Sequence, residues 1–393
     1  MALSKQSFRF LCAFSFSLLL IKSVHAQLDS IPVSNDKAFL INSKVLNEPR
    51  SIWIHLPEDY TSTNHTYPVL YLLDGEGHFQ YVSQLTDYLS SYDRNRIPEM
   101  IVVAILNVDR TRDFTPIHSL VFGGKIDSAR MGTTGGGVKF LQFMQKELIP
   151  YVDSNYRTQP YRILAGHSLG GLFALYAKET RPDLFQSIIL MSPAIYGDNN
   201  RVLTNFTSFL KSRQGIISKI FISIGDEDTH VVDSLVLQLK AVAPKSYDWS
   251  FMKYKGENHF SVSYKSMFDA LKFIYKNWFI DFYGTKKMSA GDLRLHFEKL
   301  SAEFGIAITP TEEFVNNCGY TQLRAGNIDE AIDIFKQNVK DFPNSYNAFD
   351  SMGEAYMKKG KKELAISNYE KSIQLNPANE DGKEMLKKLK GKN

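Results

Sequence analysis

Cysteine is almost absent from this chain of 393 residues, which has only Cys12 and Cys318. Cys12 lies in an amino-terminal segment that we expect to be removed, so one thiol remains and no intrachain disulfide can form. The hydrophobic core alone must therefore hold the fold together. Long apolar runs are also missing after residue 26, since no later stretch approaches the ~20 apolar residues of a membrane helix. We predict no transmembrane segment in the processed chain.

An excess of basic charge is missing as well. The chain has 46 Lys and Arg against 42 Asp and Glu, and three of the basic residues lie among the first 26. Binding to nucleic acid requires many neutralised phosphates and a basic surface to neutralise them. A near-neutral chain without a basic cluster therefore argues against a nucleic-acid partner.

Residues 1–26 have the pattern of a secretory signal peptide. Basic Lys5 and Arg9 precede an apolar stretch at 10–21, and Val24-His25-Ala26 supplies the small residues of a cleavage site. That stretch is too short to span a bilayer. We predict an exported bacterial protein, periplasmic or secreted, and an uncleaved anchor is the alternative.

Between residues 27 and 283, short β-rich runs alternate with helical ones. This alternation is typical of an α/β sheet with parallel central strands. Predicted strands lie at 51–56, 68–73, 100–106, 161–165, 187–191, 219–224 and 247–254, and predicted helices at 138–151, 169–178, 231–243 and 261–279. The segments 39–45 and 51–56 alternate apolar and polar residues, which predicts an antiparallel edge.

From residue 284 onward the pattern is helical only, with a predicted linker at 284–312 and a repeat region at 313–393. Two sets of residues in that region are 34 positions apart, namely Gly319, Gly326, Ala331, Phe335 and Pro343 against Gly353, Gly360, Ala365, Tyr369 and Pro377. This period and pattern are those of tetratricopeptide helix pairs. We predict two repeats and a polar capping helix at 381–390.

Ser168 lies in the pentapeptide Gly166-His167-Ser168-Leu169-Gly170, between an apolar run and a helical run. In a strand-turn-helix setting this G-x-S-x-G pattern is a nucleophile elbow of the α/β-hydrolase fold. The glycines allow a strained turn that presents the serine hydroxyl. We predict a serine hydrolase, and an idle serine in a tight turn is the alternative.

A nucleophilic serine needs a histidine base, and the base needs an acid that orients it. His259 follows the last predicted strand, where the base of such a fold is expected. For the acid we choose Asp228 over its neighbours Asp226 and Glu227. A metal cluster of these acids with His230 is disfavoured, because the spacing matches no standard ligand pattern. No metal and no cofactor is predicted.

The oxyanion of the reaction needs two backbone donors, one after the nucleophile and one after the third strand. Leu169 is the first candidate, and Gly75 or Glu76 is the second. His78 precedes the serine in the chain, so we predict a lining or structural role for it rather than that of the base.

Arg110, after the strand at 100–106, has two interpretations. Its guanidinium could hold an anionic or carbonyl-rich substrate through paired hydrogen bonds. Alternatively it could pair with Asp113 and fix the loop.

The elbow, the Leu72-Leu73-Asp74-Gly75 loop, the segment 110–116, Ser192-Pro193 and Gly256-Glu257-Asn258-His259 together resemble the esterase D and enterochelin-esterase-like family of α/β hydrolases. The resemblance covers about residues 38–280. It implies catalysis by the positions of Ser168 and His259, with substrate contacts at Arg110, His167 and Tyr196. Many relatives have a tryptophan where this chain has Ile195-Tyr196, so contacts there are expected to differ.

The favoured hypothesis is an exported serine esterase that acts on a small-molecule ester of siderophore or acyl-sugar type. An acyltransferase would use the same residues. A non-catalytic adaptor, in which the tetratricopeptide repeats grip a protein partner, is the hypothesis from another class.

Overall fold

The computed structural model describes residues 35–391 except 59, 62–63, 92–93, 123–124, 196–200, 213–217, 229 and 281–287. The predicted signal peptide and Tyr196 therefore lie outside the described residues. Within the described ranges no helix is long and apolar enough to cross a membrane.

A single mixed sheet forms the centre of the molecule. Its strands are β1 (Lys37–Ser43), β2 (Glu48–His55), β3 (Tyr67–Leu72), β4 (Ile101–Ile105), β7 (Thr158–His167), β8 (Ser187–Met191), β9 (Ser218–Ile224) and β10 (Tyr247–Lys253), and a small hairpin of β5 (Val121–Phe122) and β6 (Lys125–Ile126) lies apart. In the described residues the strand order is β1-β2-β4-β3-β7-β8-β9-β10. In this sheet the neighbouring strands β4, β3, β7, β8, β9 and β10 pair in parallel, whereas β1 and β2 are antiparallel to their neighbours. The predicted antiparallel edge is confirmed.

Helices cover both faces of this sheet. They are α1 (Gly75–Ser90), α2 (Arg110–Phe114), α3 (Ser128–Met131), α4 (Gly137–Phe143), α5 (Ile149–Asn155), α6 (Leu169–Thr180), α7 (Arg201–Ser212), α8 (His230–Val242) and α9 (Val262–Ile274), with a π-helical turn, Met144–Leu148, joining α4 to α5. Alternate residues of the strands divide between two cores, because successive side chains of a strand point to opposite faces. Val69 and Tyr71 pack with α4 to α8, and Leu70 and Leu72 pack with α1 and α9.

The carboxyl-terminal region is helical, as predicted. It contains α10 (Ala290–Phe304), α11 (Glu312–Arg324), α12 (Ile328–Asp341), α13 (Tyr346–Lys358), α14 (Lys362–Leu375) and α15 (Glu380–Lys390). In both helix pairs a glycine faces an aromatic ring: a Cβ on Gly319 would lie 2.4 Å from the Phe335 ring, and one on Gly353 would lie 3.1 Å from the Tyr369 ring. The repeated glycine therefore gives each ring room to pack between the helices.

Helix α10 packs directly on the central sheet. Its Phe304 ring lies 5.0 Å from Tyr161 and 5.2 Å from Tyr275 between ring centroids. Beside them Lys219, which is 3% exposed, donates hydrogen bonds to the Ile274 carbonyl and the Glu303 carboxylate. Burial lowers the pKa of Lys219, although Glu303 opposes the shift. This ion pair fastens α10 near the amino end of β9.

The predicted strands and helices are present, and most of their ends lie within one residue of the predicted ones, although the predicted helix at 138–151 is divided into α4, the π-helical turn and α5. The sequence does not predict helices α1, α2, α3 and α7. Helix α1 begins at Gly75, inside the segment after β3 for which the sequence predicts only a loop.

The Lys219–Glu303 pair provides a test of how the carboxyl-terminal region is held. Glu303→Gln leaves a buried ammonium without its carboxylate, and we expect the free energy of unfolding to fall by roughly 3 kcal/mol. Adding Lys219→Met should recover more than half of that loss. Urea unfolding measures both. The control is Glu298→Gln on the same helix, whose exposed pair with Arg294 should contribute less than about 0.5 kcal/mol. Equal effects of the two glutamate variants would contradict this account.

Candidate active site

Six loops meet at one edge of the sheet, because the carboxyl ends of parallel strands lie together. These loops carry Asp74 after β3, Asn107 after β4, Ser168 after β7, Ser192 after β8, Glu227 after β9 and His259 after β10. Residues that are far apart in the chain are thereby brought into one polar cluster.

Ser168 occupies a strained turn between β7 and α6. Its backbone angles are φ 57° and ψ −118°, which few residues other than glycine adopt. A Cβ on Gly166 would lie 2.2 Å from the Gly170 carbonyl oxygen, and one on Gly171 would lie 2.8 Å from Pro193 Cβ. The turn therefore excludes side chains on both sides of a partly exposed serine.

His259 bonds to Glu227 at this edge. The Nδ1 atom of His259 lies 2.7 Å from Glu227 Oε2, and the Ser192 hydroxyl donates to Glu227 Oε1 at 2.6 Å. Both carboxylate oxygens are thus engaged, which fixes the acid against the ring. In the neutral ring this contact places the proton on Nδ1. The unprotonated Nε2 can then accept a proton as a base.

The choice of Asp228 as the acid beside His259 does not agree with the structure. The Asp228 carboxylate accepts a hydrogen bond from the His230 amide at the start of α8, and its side chain is 79% exposed. Asp226 instead accepts from the Gly256 amide at 2.7 Å and joins the two loops. Only the middle acid, Glu227, faces the histidine, because consecutive residues of the turn point in different directions.

His167 was predicted to contact the substrate, but its ring is directed toward the protein. Its Nε2 donates to the His259 carbonyl at 2.6 Å, and the residue is 8% exposed. Burial lowers the pKa of His167 to about 4, so the ring is neutral at ordinary pH and can donate from Nε2. His167 therefore holds the loop that carries His259.

The predicted oxyanion donors begin two helices. Leu169 is the first residue of α6, and Gly75 and Glu76 open α1. The first amides of a helix lack acceptors in that helix and carry partial positive charge. A Cβ on Gly75 would lie only 3.0 Å from Ala104 Cβ, so the loop passes close to β4. The placement is compatible with the predicted role, which stays a prediction.

Arg110 makes a contact that neither sequence interpretation included. Its Nε donates to Asp74 Oδ1 at 2.6 Å, and its Nη2 donates to Asp74 Oδ2 at 2.9 Å and to the His167 carbonyl at 3.0 Å. The alternative pairing with Asp113 is wrong, because Asp113 accepts hydrogen bonds from Arg50 and Arg112. Contact of Arg110 with substrate stays a prediction.

His78 lies behind the cluster. Its ring is 5.9 Å from the His167 ring, edge to face, and burial lowers its pKa. Across the described ranges no group of three or more His, Cys, Asp or Glu side chains is arranged to hold a metal ion. The sequence gives no role to Asn107, whose only signal is its position directly after a predicted strand, and it marks Ser192 only as part of the motifs that carry the family resemblance.

A mostly parallel sheet flanked by helices, with serine, histidine and carboxylate at the carboxyl ends of its strands, defines the class of α/β hydrolases. The chain belongs to the family described as "Putative esterase", which matches residues 43–276, more than half of the sequence. Tetratricopeptide repeat families match residues 319–345 and 346–379. The predicted family and fold are confirmed, and the protein is a carboxylic ester hydrolase.

The chain is similar to proteins named as siderophore esterases and to a solved serine hydrolase. The ferri-bacillibactin esterase of Bacillus subtilis is 27% identical over 251 residues, which cover 58% of this chain and 86% of that protein. A siderophore enterobactin esterase of Emericella nidulans is 28% identical, over 36% of this chain and 50% of that protein. The crystal structure of an IroE-like serine hydrolase from Shewanella oneidensis has a TM-score of 0.71 at 29% identity, covering 78% of this chain and 99% of that chain.

The three neighbouring acids allow a matched test of the contact with His259. Glu227→Gln removes the charge that faces His259, and we expect kcat for p-nitrophenyl acetate to fall roughly 100-fold or more. Asp228→Asn, the control one residue away, should leave kcat within about twofold, because its carboxylate faces solvent. A larger loss in Asp228→Asn than in Glu227→Gln would contradict the assignment.

Proposed function

We propose that this protein is an exported serine esterase that hydrolyses siderophore-type or other small-molecule esters through Ser168, His259 and Glu227. One observation carries the proposal: a carboxylate and a histidine are bonded to each other at the sheet edge where the strained elbow presents Ser168. The siderophore esterases among the relatives support the choice of substrate class.

The proposed reaction has two half-reactions. His259 Nε2 removes the proton from the Ser168 hydroxyl as its oxygen attacks the ester carbonyl, and amides at the start of α6 and α1 stabilise the oxyanion. The protonated histidine then donates to the departing alcohol, and an acyl-enzyme remains. A water molecule, deprotonated by the same nitrogen, releases the acid and restores Ser168. Glu227 stabilises the imidazolium form throughout.

Exposed aromatic side chains that follow His259 in the chain support an ester that carries an aromatic group. The Phe260 ring is 81% exposed and lies edge to face with the His259 ring, at 5.3 Å between centroids. Tyr264 on α9 is also exposed, and its ring centroid lies 5.5 Å from that of Tyr81 on α1. Covering an exposed aromatic ring with an apolar or aromatic group is favourable, because it removes apolar surface from water. We therefore propose that the aromatic part of the substrate packs on the rings of Phe260 and Tyr264.

A panel of esters tests the proposal. We expect wild-type turnover on p-nitrophenyl esters, feruloyl and acetyl-xylan esters and tri-catecholate lactones to be highest where the ester carries an aromatic group. Ser168→Ala should lower kcat by at least roughly 1,000-fold, because it removes the nucleophile. A fluorophosphonate probe should label wild type and not Ser168→Ala.

Turnover retained by Ser168→Ala would contradict the mechanism, and equal turnover of all esters would contradict the aromatic preference. Transfer of the acyl group to a sugar or lipid acceptor uses the same residues, so product analysis with such an acceptor present separates it from hydrolysis. The adaptor alternative requires that neither turnover nor labelling occurs. Binding of a protein partner by the repeats stays a prediction.

Export is the remaining part of the proposal, and it depends on the pattern of residues 1–26. Cleavage after Ala26 should give a protein that begins with Gln27. Intact-mass measurement of the protein recovered from periplasm and medium checks this. A full-length chain confined to the cytoplasm would contradict export without affecting the esterase assignment.

A further inference from the structure

We propose that Arg110 is a positioning residue that holds the loop with the second oxyanion donor against the nucleophile elbow. The inference rests on the proposed function, since it assigns a role within the same site. It gives Arg110 a different task from binding the substrate.

The first support is the pattern of hydrogen bonds from the guanidinium. Arg110 bonds to both oxygens of Asp74 in a bidentate pair and, through Nη2, to the carbonyl of His167. Asp74 directly precedes Gly75, and His167 directly precedes Ser168. One planar group therefore joins the residue before the proposed oxyanion donor to the residue before the proposed nucleophile.

The second support is the conformation of Asp74. Its φ of 55° and ψ of 46° lie in the left-handed region, which is unfavourable for a residue with a side chain. Asp74 is nevertheless 8% exposed, and Asn107 Nδ2 also donates to its Oδ1 at 2.8 Å. These charge-assisted bonds hold the residue in a conformation that it would otherwise adopt rarely.

The third support is how closely the two loops approach. A Cβ on Gly170 would lie 3.4 Å from Asp74 Oδ2, so the carboxylate touches the first turn of α6. Loss of the guanidinium would leave this largely buried carboxylate without its counter-charge next to the elbow. The loop would then relax, and the amides of Gly75 and Leu169 would no longer be held at a fixed separation.

A positioning role and a substrate-binding role predict different kinetics. Misplaced oxyanion donors stabilise the transition state less and leave ground-state binding of the substrate almost unchanged. We therefore expect kcat to fall while KM stays nearly constant. A lost contact with an anionic substrate raises KM for that substrate and leaves a neutral ester unaffected.

The test compares Arg110→Met and Arg110→Lys on p-nitrophenyl acetate and on an ester that carries a carboxylate. We expect kcat of Arg110→Met to fall roughly 100-fold on both substrates, with KM changed less than about threefold. Arg110→Lys should recover only part of the loss, because an ammonium cannot reproduce the planar fork. The control is Arg112→Met, whose side chain is equally exposed but pairs with Glu48 and Asp113 away from the elbow. Its kcat should stay within about twofold.

Asp74→Asn provides a second route to the same answer. It should lower kcat in the same way, and the double variant with Arg110→Met should lose much less than the product of the two single losses. An increase of KM confined to the carboxylate ester, or unchanged kinetics in Arg110→Met, would overturn the proposal. Those outcomes leave the proposed function intact, because its own tests are turnover by the wild-type protein and loss of that turnover in Ser168→Ala.

Discussion

At Ser168 the chain passes from a buried strand into a helix within one residue. This turn leaves no room for side chains at the neighbouring glycines and fixes the direction of the groups beside it. Gly166 and Gly170 approach so closely that a Cβ on the first would lie 2.2 Å from the carbonyl oxygen of the second. The turn also points the His167 carbonyl toward Arg110 and places the His167 ring under the His259 loop. The strained backbone is therefore stabilised by its neighbours, and the same bonds orient the groups that would act with the serine.

The acidic turn after β9 shows how one short segment serves three tasks. Asp226 joins the β9 and β10 loops through the Gly256 amide, Glu227 bonds to His259, and Asp228 accepts from the first amide of α8. A Cβ on Gly225 would lie 2.5 Å from the Glu257 carbonyl oxygen, so the two loops are packed together here. The first task helps the second, because a fixed distance between the loops keeps histidine and carboxylate in contact.

Residues whose chemistry depends on their own local sequence could be predicted, and residues whose role depends on contacts between loops could not. The elbow at Ser168 and the loop of His259 follow from turn residues and apolar runs, and both lie at the predicted edge of the sheet. The direction of a side chain in a run of three acids depends on how the β9 loop packs on the β10 loop, so sequence alone could not separate Glu227 from Asp228. Arg110 is a similar case, since its partner Asp74 is 36 residues away in the chain. The 34-residue repeat could be predicted because each helix pair packs a glycine against an aromatic ring within the same short segment. Gly319 and Phe335 in the first pair recur as Gly353 and Tyr369 in the second.

Helix α10 connects the carboxyl-terminal region to the core that supports the candidate active site. Phe297, Leu300 and Phe304 join the core that also contains α1 and α9 on one face of the sheet. Helix α11 continues this packing, with Phe314 5.4 Å from Phe297 between ring centroids. The attachment through Lys219 lies near the amino end of β9, whereas Glu227 follows its carboxyl end. The repeats are therefore anchored away from the site, yet their anchor helix shares a core with α1, whose first residues carry the proposed oxyanion donor. Support for that donor thus comes from two sides, from Arg110 at the elbow and from the core that α10 completes.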